Sequence, residues 1–170
     1  MARLARVIAV GVPHHITQRG NARRFIMQDE PDRKVYLDLL RQSVELHGIA
    51  LIGYCLMSNH IHLVAVARKA DVLARALGET HSRFASYWNA LHHSTGHVWQ
   101  GRYYSCPTDE PQLWETLRYT ELNPVRASLV ARAGQREQVM SPMALCHRIM
   151  RSLPVVFRAR HGCVRCARGS

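Results

Sequence analysis

Two histidines and a tyrosine carry the chemistry this chain could do. His60 and His62 stand one apolar residue apart in the stretch Met57-Ser58-Asn59-His60-Ile61-His62-Leu63-Val64, which reads as a buried strand. Side chains i and i+2 of a strand share a face, so the two imidazoles lie side by side, about 6–7 Å apart at the backbone. Neutral imidazole is the commonest protein metal ligand, and such a pair suits one divalent ion. Further along, Tyr119 and Asn123 occupy positions i and i+4 of a predicted helix and are neighbours on its surface. On an ideal wheel of about 100° per residue, Leu113, Trp114 and Leu117 gather on one side. Tyr119 and Asn123 lie nearly opposite, although Leu122 blurs the division. A tyrosine beside an asparagine, away from the apolar stripe, is not a simple core tyrosine.

The chemistry these parts suit is phosphodiester cleavage. A tyrosine hydroxyl with an ordinary pKa of about 10 is mostly protonated at neutral pH and needs help as a nucleophile. A metal held by His60 and His62 would polarise the scissile phosphate and stabilise its developing charge. The amide oxygen of Asn123 is a candidate third ligand. Such a set leaves open positions for phosphate oxygens. With oxygen donors from substrate and water, Mg²⁺ or Mn²⁺ is the expected ion.

The elements that must position these residues follow from periodicity and breakers. Residues 7–18 are β-rich and end at the turn signal Arg19-Gly20-Asn21. Residues 31–47 read as a helix, with Pro31 near its start, Tyr36, Leu40 and Val44 at i+4 spacing, and Gly48 as the stop. Residues 49–57 and 60–67 form two strands about a tight Ser58-Asn59 turn. Asp71 caps a second helix reaching about His93, with Leu73, Leu77, Phe84, Trp88 and Leu91 as its stripe. Residues 98–106 form an aromatic strand. Asp109, Glu110 and Pro111 open a third helix, which Pro124 should end near Asn123. The order β-α-β-β-α-β-α predicts an α+β fold: a ferredoxin-like antiparallel sheet with helices on one face, plus an extra helix carrying the tyrosine. His62 shares its strand face with Val64 and Val66, which puts the site at the beginning of that strand.

Composition bounds the class. The 170 residues carry 23 lysines and arginines against 12 acids, a formal net charge of +11, and only Lys34 and Lys69 are lysine. That balance favours a polyanionic partner, nucleic acid before membrane. Residues 126–170 hold nine arginines and a single acid, Glu137, the form of a basic arm. The expected organisation is a catalytic domain over 1–130 and a basic tail over 131–170, partly helical or disordered. No apolar run approaches the roughly 18–20 residues of a membrane span, and residues 7–12 are too short for a signal-peptide core. The expected setting is the cytoplasm, in association with the nucleoid. Five cysteines, an odd number, with no export signal suggest reduced thiols. The lone Cys163-Val164-Arg165-Cys166 pair supplies two ligands where structural zinc wants four, so a zinc site there is a distant reading.

Four blocks, taken together, resemble the REP-associated tyrosine transposases, relatives of the single-strand insertion-sequence transposases. They are His15-Ile16-Thr17-Gln18-Arg19-Gly20-Asn21, the stretch around His60 and His62, Trp99-Gln100-Gly101-Arg102-Tyr103, and Arg118-Tyr119-Thr120-Glu121-Leu122-Asn123-Pro124-Val125-Arg126-Ala127. Each block alone is moderately specific; their order and spacing over residues 7–130 are far more so. The resemblance implies a nuclease and strand-transferase acting on single-stranded or hairpin DNA such as REP elements. It implies Tyr119 as nucleophile, His60 and His62 as metal ligands, and cleavage that leaves a 5′-phosphotyrosine and a free 3′-OH. The residue after the tyrosine is usually isoleucine in the family and is Thr120 here. Members occur as monomers and as homodimers that swap the tyrosine helix, and either state is open for this chain. A replication- or relaxation-type nickase with the same chemistry, or a domesticated non-catalytic DNA-binding protein, are the alternatives.

Other residues divide between binding and packing. Arg19 and Asn21 flank Gly20, where backbone can approach phosphate closely, and Arg102 beside Gly101 is similar. Arg126 follows Asn123-Pro124. These four are the candidate DNA contacts. Tyr103 and Tyr104 alternate faces, so one is placed to stack on a base, with core packing the favoured reading. His14 and His15 read as hydrogen-bonded structural histidines. His92, His93 and His97, in a polar loop, read as exposed.

Overall fold

A computed structural model of the chain describes residues 8–126 and 139–140. Strand β1 (Pro13–Arg19) leads through a short 3-10 turn (Asn21–Arg23) to α1 (Glu30–Leu46). Strands β2 (Ala50–Leu56) and β3 (His60–Val66) form a hairpin. Helix α2 (Val72–Leu91) is followed by β4 (Tyr104–Pro107) and α3 (Glu110–Arg126). A short strand, β5 (Val139–Met140), closes the described order. The sheet is antiparallel with order β4-β1-β3-β2-β5. Its first four strands and two crossover helices make the predicted ferredoxin-like α+β arrangement.

The two sheet faces are covered differently. Ile16 of β1 and Ile61, Leu63 and Ala65 of β3 face α1 and α2, where they join Tyr36, Leu40, Leu73, Leu77 and Phe84 in the main core. Burying each large apolar side chain there contributes on the order of 1.5–3 kcal/mol. On the opposite face Ile52, Val64 and Val66 meet Leu113 and Leu117 of α3, with Trp114 packed at the margin. The apolar stripe read from α3 is therefore what fastens it to the sheet. A register shift between Leu51 and Gly53 sets Ile52 against α3 while Tyr54 and Leu56 return to the main core. This is the bulge device that re-aims a strand.

Helix α3 starts as its sequence requires. The Asp109 carboxylate accepts the Gln112 backbone N–H at 2.9 Å, and the Asp109 carbonyl accepts that of Leu113 at 2.8 Å. It does not stop at Asn123: it runs on to Arg126, so Pro124 removes one backbone donor without ending it. Asp71 sits at the N-cap of α2, but its carboxylate pairs with Arg75 at 3.2 Å instead of capping the backbone. The expected strand over 98–106 is shortened to β4, and Trp99 makes only an isolated bridge to Gly20. Strand β1 begins at Pro13, because the chain before it turns at Gly11 with φ of 75°.

Two expectations about the remainder need correction or fall outside the described residues. Cys55 is a free, buried thiol, but Cys106 is disulfide-bonded, against the expectation of reduced thiols throughout. No spacing rule reads that bond from the sequence. Strand β5 adds a rung to the β2 edge from within the segment read as tail. The rest of that segment, with its arginines and the Cys163–Cys166 pair, lies outside the described residues. No described helix is long and apolar enough to cross a membrane.

Candidate active site

Strand pairing assembles the site. Thr17 of β1 lies opposite His62 of β3 on one side and Tyr104 of β4 on the other, and Arg19 lies opposite His60. Directly opposed residues share a face, so β1 contributes His15, Thr17 and Arg19 to the face that carries His60 and His62. This is the face away from α1 and α2. It is the one α3 covers only in part.

The two imidazoles stand together as the i, i+2 spacing demands, with ring centroids 5.0 Å apart. Tyr119 reaches them from α3: its ring meets His62 edge-on, centroids 5.6 Å apart and planes at 80°. The tyrosine is off the buried Leu113–Leu117 stripe and 39% exposed, so its ring is shared between His62 and open solvent. Within this chain the phenol and the imidazoles meet. A cleft of about 560 Å³ opens there, lined by Thr17, Arg19, His60, His62, Arg102, Tyr104 and Tyr119, with Gln18, Gln100 and Gly101 completing its wall.

A third histidine belongs to the cluster. His15 meets His62 edge to edge in nearly one plane, centroids 5.3 Å apart and planes at 11°, with its Nε2 3.1 Å from His62 Nδ1. Burial pulls His15 down to about 4. Burial, then the Arg19 charge, pulls His60 to about 4. Burial first, then the charges of His15, His60 and Arg19, pulls His62 to about 3. At neutral pH all three are uncharged, the form in which imidazole nitrogen offers a lone pair.

The fit of a divalent ion can be judged from these rings. His62 Nε2 is buried without a hydrogen-bond partner, and His60 has its Nδ1 engaged by Asn59, leaving Nε2 unused. Both observations suit an ion taking up nitrogen lone pairs. Among the described residues no group of three or more His, Cys, Asp or Glu side chains is arranged to hold a metal. Asn123, the expected third ligand, lies one helical turn after Tyr119, but its side chain is outside the described residues, as is that of Arg126.

The rim is built by the approach of two loops to β1. Gln100 N–H donates to the Arg19 carbonyl at 2.9 Å, and Gln18 Nε2 donates to the Gly101 carbonyl at 2.9 Å. Gly101 has φ of 154°, a conformation that side-chain-bearing residues rarely adopt. That pinning places Arg102 beside Arg19 at the cleft. Gly20 is needed for a different reason: an added Cβ would collide with the Arg24 carbonyl and press on Ile26. Asn21 is half-buried in the 3-10 turn, its N–H bonded to the Val98 carbonyl, and it does not line the cleft. Tyr103, just before β4, is buried in the main core, and Tyr104, 44% exposed, lines the cleft.

His14 is structural: its Nδ1–H donates to the Val12 carbonyl at 2.8 Å, and its Nε2 accepts the Ala9 N–H at 3.2 Å. His92, His93 and His97 are exposed. Sequence reasoning missed Thr17 as a site residue and undervalued His15 and Asn59. The signal was available in the alternation of His15, Thr17 and Arg19, which needed only the register of β1 against β3.

A sheet-borne pair of histidines thus faces a helix-borne tyrosine in a cleft edged by Arg19 and Arg102. The family model for IS200-like transposases matches residues 10–123, about two thirds of the sequence, and the chain belongs to that family. Among solved structures, a REP-associated tyrosine transposase bound to a REP hairpin matches with a TM-score of 0.67 at 14% identity, over 95% of this chain and 93% of that one. It shares the fold. A protein from Deinococcus radiodurans R1 assigned as a transposase matches at 20% identity over 70% of this chain and 95% of that one, with a TM-score of 0.49, a likeness too slight to argue from. No curated protein matches.

Proposed function

We propose that the protein is a metal-dependent single-strand DNA endonuclease and strand-transferase of the REP-associated type, with Tyr119 as nucleophile. The observation that carries this reading is the meeting of the Tyr119 and His62 rings in a cleft that also holds Arg19 and Arg102. A neutral phenol needs a partner that stabilises charge developing on phosphorus oxygens. His60 and His62 would hold a Mg²⁺ or Mn²⁺ ion, with Asn123 as a further ligand, and that ion supplies Lewis-acid stabilisation of the scissile phosphate.

The remaining work falls to this chain's own groups. Arg19 and Arg102 bind the backbone phosphates on either side of the reacting one, and Arg126 extends that contact. Tyr104 offers its exposed ring to an unpaired base. The Tyr119 oxygen then bonds to phosphorus, the bond to the 3′ oxygen breaks, and the phenolic proton is lost to solvent while the departing oxygen gains one. The products are a 5′-phosphotyrosine and a free 3′-OH. The phosphodiester energy is kept in the covalent link, so a second 3′-OH can reverse the step on another strand without ATP.

The solved REP-associated transposase is bound to a REP hairpin, which makes an imperfect palindrome with a short single-stranded flank the first substrate to try. The test is incubation with such oligonucleotides, with and without Mn²⁺. Mn²⁺-dependent nicking accompanied by a covalent adduct is expected from the wild-type protein. Tyr119→Phe should retain hairpin binding and lose the adduct. Adducts persisting in Tyr119→Phe would refute the assignment.

A further inference from the structure

Each imidazole of the pair has one ring nitrogen engaged by a neighbour, and in each it is Nδ1. His60 Nδ1 lies 2.6 Å from Asn59 Oδ1. An amide oxygen only accepts, so neutral His60 carries its proton on Nδ1. The orientation of that amide is set from its other end, where Asn59 Nδ2 donates to the Arg23 carbonyl at 3.5 Å. Turning the amide over would set two oxygens against each other. His60 Nε2 is left with a bare lone pair.

His62 Nδ1 faces His15 Nε2 at 3.1 Å, while its own Nε2 is buried without a hydrogen-bond partner. If His15 donated, His62 would carry its proton on Nε2, as a buried donor with no acceptor. If His62 donates from Nδ1, the buried atom is a lone pair available to a cation. The hydrogen bond made by the remote nitrogen decides which of these forms is present.

Asn59 is itself held in place. It sits in the β2–β3 turn, where its carbonyl accepts the Gly20 N–H at 2.8 Å and the preceding Ser58 carbonyl accepts the N–H groups of Ile26 and Met27, both at 2.9 Å. The segment after β1 therefore clamps the turn that carries the amide.

We infer that Asn59 and His15 are positioning residues: each accepts the Nδ1–H of its neighbouring histidine, so that His60 and His62 present both Nε2 lone pairs together. This rests on the metal reading above, and it assigns the residues that prepare the site before any ion arrives.

The test uses the full chain labelled with ¹⁵N, first without metal. Long-range proton–nitrogen spectra should show His60 and His62 protonated on Nδ1. Asn59→Leu should move the His60 proton to Nε2 and weaken Mn²⁺ binding, read by electron paramagnetic resonance, by about 10–100-fold. Asn59→Asp keeps an acceptor oxygen and should restore both signatures, which a merely structural defect would not allow. His15→Leu and His15→Gln form the matching pair for His62. A wild-type protein that takes up no Mn²⁺ sinks the metal reading. A wild-type protein that binds Mn²⁺, with tautomer and affinity unchanged in Asn59→Leu and His15→Leu, overturns this inference alone.

Discussion

Lowering the pH should unfold this protein through its own site. His15, His60 and His62 ionise at about 4, 4 and 3 in the folded state, against about 6.5 for an exposed histidine. A depressed folded value on a basic group means the unfolded chain takes up the proton first. Above about pH 6.5 both states are neutral and the cluster costs nothing. Below that, the unfolded state gains protons the folded state refuses, and stability falls until the folded values are reached. At pH 5 each group has lost about 2 kcal/mol, or roughly 5–6 kcal/mol for the three, before solvent screening at the partly exposed His15 and His60 reduces it. That is comparable with the whole stability of a small domain, about 5–15 kcal/mol. Urea titrations at intervals between pH 7.5 and 4.5, wild type against His62→Asn, measure it. Removal of the most depressed group should make the pH slope shallower by about 1 kcal/mol per pH unit near pH 5. Identical slopes in the two proteins would refute the claim that folding holds His62 uncharged.

Three further perturbations read separate parts of the site. Gly20→Ala places a Cβ against the Arg24 carbonyl and should cost about 1–3 kcal/mol in urea unfolding; unchanged stability would contradict the close approach. Replacing Arg19 and Arg102 together with Gln should lower the salt dependence of single-strand binding by about 1.4 in log–log slope, and an unaltered slope in filter-binding titrations would remove both from the phosphate contact. Tyr104→Ala should weaken binding of unpaired DNA by about 1–3 kcal/mol without affecting a fully paired duplex; equal effects on both would count against base stacking.

Much of this arrangement was legible before any coordinates. The histidine pair follows from strand alternation alone, because no other conformation puts i and i+2 on one face. The α3 stripe of Leu113 and Leu117 announced the buried side of the helix, and by default the flank that bears Tyr119. What periodicity could not supply was register. That Thr17 opposes His62, or that His15 pairs with it edge to edge, depends on which residues of β1 and β3 meet, and both strands alternate equally well one pair out of phase. Pro124 misled for a related reason. A proline disfavours helix in the residue before it, but that preference is small against a helix already pinned to the sheet by Leu113 and Leu117. The shortening of β4 came from Gly101, whose φ of 154° and bond to Gln18 turn residues 100–102 into a loop laid along β1.

The central claim is that the Tyr119 oxygen forms the bond to DNA. The most direct measurement is mass spectrometry of proteolysed protein after incubation with a hairpin oligonucleotide and Mn²⁺. A nucleotide attached through phosphate to the peptide containing Tyr119 is the expected result. A nucleotide mapped to any other residue, or nicked DNA with no protein attached, would contradict it.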